Sequence, residues 1–202
     1  MHQKERIVII GAGGHGRVAA DIARKLGYEQ LVFLDDADIP GVAGKTEDYS
    51  RYLDSSVFFV AIGNSKIRHR VQNMLQNNGA TIVSLIHPSA VISDNVVIGK
   101  GTVIMAGAVV NTGAVLGEGV IVNTCASVDH DCTIADYVHV AVGAHVCGDV
   151  QIGAHTWIGA GAMIINDLHI CGDCMIGAGA VVIRSLDTPG TYIGIPARTM
   201  DC

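Results

Sequence analysis

Aromatic side chains make up only 4% of this 202-residue chain and charged ones only 16%. A core assembled around large rings is therefore excluded, and the interior has to be built from small aliphatic residues. Basic residues are also scarce, with 13 Lys and Arg against 19 Asp and Glu and a net charge of −6. That balance argues against nucleic acid as the main partner, because phosphate backbones require clustered cations. Long apolar runs are missing too. The best stretch, Val57 to Ile62, is broken by Gly63 and falls far short of the roughly 18 residues of a spanning helix, so no membrane association is expected. Met1 to Arg6 is polar and leads straight into an apolar run, which gives no secretory signal and an expectation of a cytoplasmic protein. In that setting the six cysteines, all in the C-terminal half, are expected as reduced thiols. Cys171-Gly-Asp-Cys174 has the spacing of a redox or metal motif, but its context favours small side chains filling repeat positions.

What the chain has instead is 25 glycines and a composition that is 50% hydrophobic. The aliphatic residues keep time. Stepping by six from Ile86 gives Ile92, Ile98, Ile104, Val110, Leu116, Val122, Val128, Ile134, Val140, Val146, Ile152, Ile158, Ile164, Ile170, Ile176 and Val182, without a slip. Two residues before each anchor lies a second small or aliphatic column, including Ala108, Ala114, Val120, Ala126, Cys132, Ala144 and Ala162. A period of six fits neither a helix nor an alternating meander. It fits a solenoid of short strands and corners whose coils stack at about 4.8 Å. Each buried anchor contributes roughly 1.5–3 kcal/mol before chain entropy is subtracted.

The first eighty-five residues read differently. Arg6 to Ile10 is an apolar strand, followed by Gly11-Ala-Gly-Gly-His-Gly16 and a helix whose apolar face is expected at Val18, Ile22 and Leu26, with Ala19 and Ala23 beside them. Strands are expected at Leu31 to Leu34, Val57 to Ile62 and Thr81 to Leu85, with a helix marked by Ile67, Val71 and Leu75 before the last. This order predicts a small parallel sheet with helices on its faces. Gly11-x-Gly13-x-x-Gly16 between strand and helix, with Asp35 about 20 residues on, matches a dinucleotide fingerprint in context and spacing. The boundary between the α/β domain, residues 1–85, and the repeat domain, residues 86–202, falls at Ile86-His87-Pro88-Ser89.

The hexapeptide clock resembles that of the hexapeptide-repeat acyltransferases. The resemblance implies a left-handed parallel β-helix with three hexapeptides per coil, here between five and six coils, after a Rossmann-like half domain. Over nearly its full length the chain is similar to bacterial nucleotide-sugar acetyltransferases of the sialic-acid O-acetyltransferase-like group. The stretches that carry this are Gly11–Gly16, Phe33-Leu-Asp-Asp36, Phe59-Val-Ala-Ile-Gly-Asn64, Asn123-Thr124, Val128-Asp-His-Asp-Cys132 and His139-Val-Ala-Val-Gly143. The similarity is greatest to the N-acetyltransferases acting on a UDP-linked 4-amino-4,6-dideoxy sugar.

Five histidines lie in the repeat, and only His130 is flanked by carboxylates, Asp129 and Asp131. Amide formation from a thioester needs a base with a pKa near neutrality, which histidine supplies. The family motif places that base on His130 and its partner on Asp131, leaving Asp129 as a solvated corner residue. It also implies acetyl-CoA contacts at His139, Ala160 and Ala178, an oxyanion donor at the Gly148 amide, and a homotrimer with acetyl-CoA in the groove between neighbouring helices. For the nucleotide sugar it points to Gly13, Gly14, His15, Asp35, Asp36 and Gly63. No metal is expected. Other readings are an O-acetyltransferase on sialic acid or a related sugar, a metalloenzyme like the γ-carbonic anhydrases, a non-catalytic nucleotide-sugar binder and an NAD oxidoreductase. The proximity of Cys125 and Cys132 to His130 leaves a covalent acyl-enzyme route open in principle.

Overall fold

The computed structural model describes residues 6–200. It divides into two compact units, Met1–Pro88 and Ser89–Cys202.

In the first unit four parallel strands form one sheet in the order β2-β1-β3-β4. β1 is Arg6–Ile10, β2 Leu31–Leu34, β3 Ser56–Val60 and β4 Thr81–Ile82. Ile7 to Ile10 and Val57 to Val60 are all less than 9% exposed, as expected of central parallel strands covered on both faces. Helix α1, Gly14–Lys25, connects β1 to β2, and α2, Ser65–Asn77, connects β3 to β4. β3 ends two residues earlier than the apolar run suggests, because Ala61 and Ile62 already turn toward α2. The apolar face of α1 also differs from expectation. Val18 is 43% exposed, while Gly16, Ala19, Ala20, Ile22 and Ala23 face the sheet. The helix lies too close to the sheet for large side chains, since a Cβ on Gly16 would lie 2.0 Å from the Gly11 carbonyl oxygen. A 3-10 segment at Thr46–Ser55, not foreseen from the sequence, packs Tyr49, Tyr52 and Leu53 against the core formed by Val8, Ile10, Phe58, Val60 and Leu75.

The second unit is a parallel β-solenoid whose strands are two residues long and pair with their counterparts one coil on. One ladder runs Val103, Ile121, His139, Trp157, Met175, and two others form the remaining faces. From Ile104 to Val182 every six-residue anchor is at most 2% exposed. The second column packs beside them, with Ala108, Ala114, Val120, Ala126, Cys132 and Ala144 fully buried. The interior is thus a narrow stack of aliphatic layers, which is why so few aromatic residues suffice. A further column closes each corner in the left-handed region. It contains Gly101, Gly107, Gly113, Gly119, Gly143, Gly161 and Gly179, but also Cys125, Asp131, Tyr137, Asp149, His155, Asp167 and Asp173 at φ of 54–62°. Side chains are uncommon in this region, and Asp is among those that tolerate it best.

Candidate active site

In the solenoid, His130 stands at a corner with its Nδ1 2.9 Å from Asp131 Oδ2. The contact is therefore direct despite the short side chain. It follows from the left-handed backbone of Asp131, φ 59°, which turns the carboxylate back toward the preceding ring. One coil earlier lies Gly113, where a Cβ would come within 2.3 Å of Asp131 Oδ1. One coil later lies Gly148, where a Cβ would come within 2.4 Å of His130 Nε2. Two glycines thus make room for the pair on either side. With Nδ1–H donated to the carboxylate, Nε2 is the basic nitrogen, and it sits over the Gly148 backbone. The hydrogen bond to Asp131 raises the His130 pKa above its ordinary value, aided by the charges of Asp129, Asp131 and Asp149.

Asp129 is not the solvated corner residue expected. Its Oδ1 accepts from the His130 backbone N–H at 2.8 Å and from Asn111 Nδ2, one coil earlier, at 2.7 Å. These bonds hold its carboxyl below the usual carboxylate range, the Asn111 bond contributing most. Asn111 and Asp129 therefore clamp the backbone that presents His130. Sequence reading missed Asn111 because its relation to His130 exists only across the coil-to-coil stack.

Cys132 is fully buried and its Sγ–H donates to the Cys147 carbonyl at 3.1 Å. Burial pushes this thiol up to about 11, which removes it as a nucleophile near neutral pH. The Cys171 and Cys174 sulfurs lie 3.5 Å apart, and burial pushes Cys174 up to about 12, consistent with interior filler.

The remaining solenoid candidates fall on different surfaces. His139 is only 7% exposed, 3.0 Å from the Asn123 amide through Nε2 and tilted against Trp157 at a ring separation of 4.2 Å. Ala160 and Ala178 are exposed at one corner, one coil apart, with Gly161 and Gly179 next to them in the left-handed position. That corner is smooth, and the Ala160 carbonyl accepts the Gly179 N–H at 2.9 Å. Gly148 is buried beside His130.

In the α/β unit the glycine turn lies at the C-terminal end of β1, next to that of β3, where the connections through α1 and α2 diverge. This is the switch point at which open parallel sheets bind ligands. Gly11 adopts φ +106° and abuts the Ala61 carbonyl, which a Cβ would approach to 2.7 Å. Gly13, Gly14 and Gly63 face open space. Asp35 locks the turn: its Oδ2 accepts from Ala12 N–H at 2.7 Å and its Oδ1 from Ala37 N–H at 2.8 Å. Asp36 accepts from Thr46 N–H at 2.9 Å, and these contacts with Thr46 lower its pKa. It lines a cavity of about 540 Å³ with Lys45, Thr46, Glu47, Arg70, Val71 and Met74.

His15 enters the same unit as a half-buried imidazole whose pKa is lowered to about 4, first by desolvation and then by the charge of Arg68. The folded state therefore keeps His15 neutral where the unfolded chain protonates it at its ordinary 6.5. Stability present above pH 6.5 is lost as the pH falls from 6.5 toward 4, by up to about 3 kcal/mol. Thermal melts from pH 7.5 to 4 should show this slope, and His15→Gln should flatten that part of it.

The pH dependence of activity should report on Asp131. If His130 serves as a base it works only when neutral, and activity should then fall as the pH drops below its raised pKa. Asp131→Asn removes the interaction that raises it. The acid limb of kcat/KM should then move to lower pH, and the plateau should fall at least about tenfold as the base weakens and loses its fixed tautomer.

A half-size α/β unit with a glycine turn at its switch point and a hexapeptide solenoid bearing a histidine–carboxylate pair together match the pattern of the hexapeptide-repeat acyltransferases. Residues 6–75 match the PglD N-terminal domain, and residues 149–184 match the bacterial transferase hexapeptide (six repeats). The acetyltransferase domain of PglB from Neisseria gonorrhoeae, solved also in complex with acetyl coenzyme A, is 39% identical over 98% of this chain and 100% of that one, with a TM-score of 0.94. PerB from Caulobacter crescentus, solved in complex with CoA and GDP-perosamine, is 34% identical over 96% of this chain and 97% of that one, at a TM-score of 0.92. The UDP-N-acetylbacillosamine N-acetyltransferase of Bacillus subtilis is 36% identical over 112 residues, 50% of this chain and 52% of that protein. The match thus spans about half the length of this curated relative. The chain belongs to this family of bacterial nucleotide-sugar acetyltransferases.

Proposed function

We propose that this chain transfers an acetyl group from acetyl-CoA to the 4-amino group of a nucleotide-linked 4-amino-4,6-dideoxy sugar, with UDP as the nucleotide. The observation that carries the reading is the His130–Asp131 pair seated between Gly113 and Gly148, in a chain whose other unit presents a glycine turn at a switch-point crevice. The names of the relatives support it, two of them an N-acetyltransferase and a protein bound to CoA with an amino-sugar nucleotide.

In this reading Asp131 holds the Nδ1 proton, and His130 Nε2 removes a proton from the sugar amine as its nitrogen attacks the thioester carbonyl. The Gly148 N–H donates to the developing oxyanion. The oxyanion collapses with departure of the CoA thiolate, which takes up a proton, and the amide is released. No acyl-enzyme is formed. The smooth corner at Ala160 and Ala178 takes the pantetheine arm, and His139, on another surface, is a further acetyl-CoA contact. Acetyl-CoA lies between neighbouring solenoids of a homotrimer, whose contacts draw on exposed apolar side chains such as Val142 and Met163.

Gly13, Gly14, His15 and Gly63 surround the pyrophosphate, and Asp36 takes the nucleoside in the adjoining cavity. Asp35 acts on the nucleotide through the turn that it locks.

The amide product distinguishes nitrogen from oxygen transfer. Product formed with a UDP-4-amino sugar should keep its acetyl group in alkaline hydroxylamine, which cleaves acetate esters but not amides under mild conditions. Loss of the acetyl group there would identify an ester and favour the O-acetyltransferase reading.

A further inference from the structure

Arg68 is the largest fully buried side chain among the described residues, at 1% exposure. A guanidinium is costly to remove from water, and a fold retains one inside only where its charge and its forked donors are held. Here it lies on the first turns of α2, beneath the turn that links β3 to that helix. Its Nη1 donates to the carbonyls of both Ile62 and Gly63 at 2.8 Å. The turn is also fixed from its far end by Asn64, whose side chain caps α2 by accepting the Ile67 N–H at 3.0 Å. The Ile62–Asn64 turn forms one wall of the crevice, and the Gly11–Gly16 loop forms the other, meeting it where Gly11 abuts Ala61.

On that second wall His15 is kept neutral first by burial and then by the charge of Arg68. With His15 neutral, the glycine loop up to Gly16 contributes no formal positive charge to an anion in the crevice, in a chain whose net charge is −6. Positive potential from below then adds to that of the N-termini of α1 and α2, which begin at this crevice.

We propose that Arg68 is the positioning residue of the nucleotide crevice: it sets the Ile62–Gly63 turn and supplies, from beneath, the positive potential for a diphosphate. The proposal rests on the nucleotide-binding reading given above. It assigns the residue to the phosphates rather than to the nucleoside, and it makes Arg68 a residue that touches protein backbone, not ligand.

The test uses the full-length chain with Arg68→Lys and Arg68→Met, both checked for folding by circular dichroism. Binding of UDP and uridine, with GDP and guanosine in parallel, is measured by calorimetry. The expected result is a loss of roughly tenfold to a hundredfold in diphosphate affinity for Arg68→Met, a smaller loss for Arg68→Lys, and little change for the nucleoside. In turnover assays the loss falls on KM for the sugar nucleotide, with kcat kept. The His15 titration followed by NMR should move to higher pH in Arg68→Met and stay near its wild-type position in Arg68→Lys, a readout that needs no ligand. Equal losses for diphosphate and nucleoside, or an unmoved His15 titration in a folded Arg68→Met, would overturn the proposal. If the unsubstituted protein binds neither diphosphate, the nucleotide reading itself fails and takes this inference with it. If Arg68→Met does not fold, Arg68→Lys decides: a loss confined to diphosphate binding, with nucleoside binding kept, supports the proposal, and equal losses for both ligands or no loss for either overturn it.

Discussion

Replacing His130 by alanine should lower turnover from acetyl-CoA by about 10²–10⁴-fold, the range that a positioned general base contributes. The melting temperature stays where it was. The side chain is 54% exposed, and its removal opens no cavity. Binding of the proposed sugar nucleotide should also be retained, because the residues assigned to it lie in the α/β unit. The effect therefore falls on kcat. His130→Gln should not rescue it, since an amide cannot accept the proton. Single-turnover kinetics with saturating acetyl-CoA check this directly, and an unchanged rate would remove His130 from the mechanism.

The second large effect is structural. Gly16→Ala places a methyl group 2.0 Å from the Gly11 carbonyl oxygen and 2.9 Å from its carbon, so backbone and not a flexible side chain stands in the way. The helix must lift away from β1, exposing Ala19, Ile22 and Ala23, and the expected cost is about 3 kcal/mol or more. The proposed nucleotide binding should be lost with it. Gly13→Ala provides the contrast: its Cβ meets nothing within 4 Å and its φ is −68°, so the fold should be kept. Chemical denaturation followed by circular dichroism separates the two. Equal stability of Gly16→Ala and the wild type would mean that α1 does not depend on this close approach.

The solenoid was legible because its anchors repeat at one period and each is buried for the same reason. The glycine-rich turn was legible because its spacing is tied to one strand–helix junction. What escaped depends on neighbours distant in sequence. The left-handed corner column was hidden because Cys125, Asp131, Tyr137, Asp149, His155, Asp167 and Asp173 interrupt its glycines. Yet that column explains how so short a side chain as Asp131 reaches His130. Asp129 looked like solvent-facing polarity until Asn111 was placed one coil beneath it. Arg68 sits among Lys66, His69 and Arg70 in the sequence, a pattern that reads as a solvated helix face, and only the packing of α2 under its own preceding turn buries it. Val18 went the other way: its spacing from Ile22 suggested a core position, but the closeness of α1 to the sheet reserves that face for glycine and alanine.

No helix among the described residues is long and apolar enough to cross a membrane, and none of their His, Cys, Asp and Glu side chains form a group of three or more suited to a metal. The chemistry proposed for the solenoid needs neither.

The most direct measurement is release of free CoA thiol from acetyl-CoA in the presence of UDP-, dTDP-, GDP- and CMP-linked sugars, each with and without a 4-amino group. The expected result is thiol release that requires the amino sugar, is fastest with the UDP-linked 4-amino-4,6-dideoxy sugar and disappears in His130→Ala. Release that ignores the amino group, or no release with any sugar nucleotide, would contradict acetyl transfer to a sugar amine.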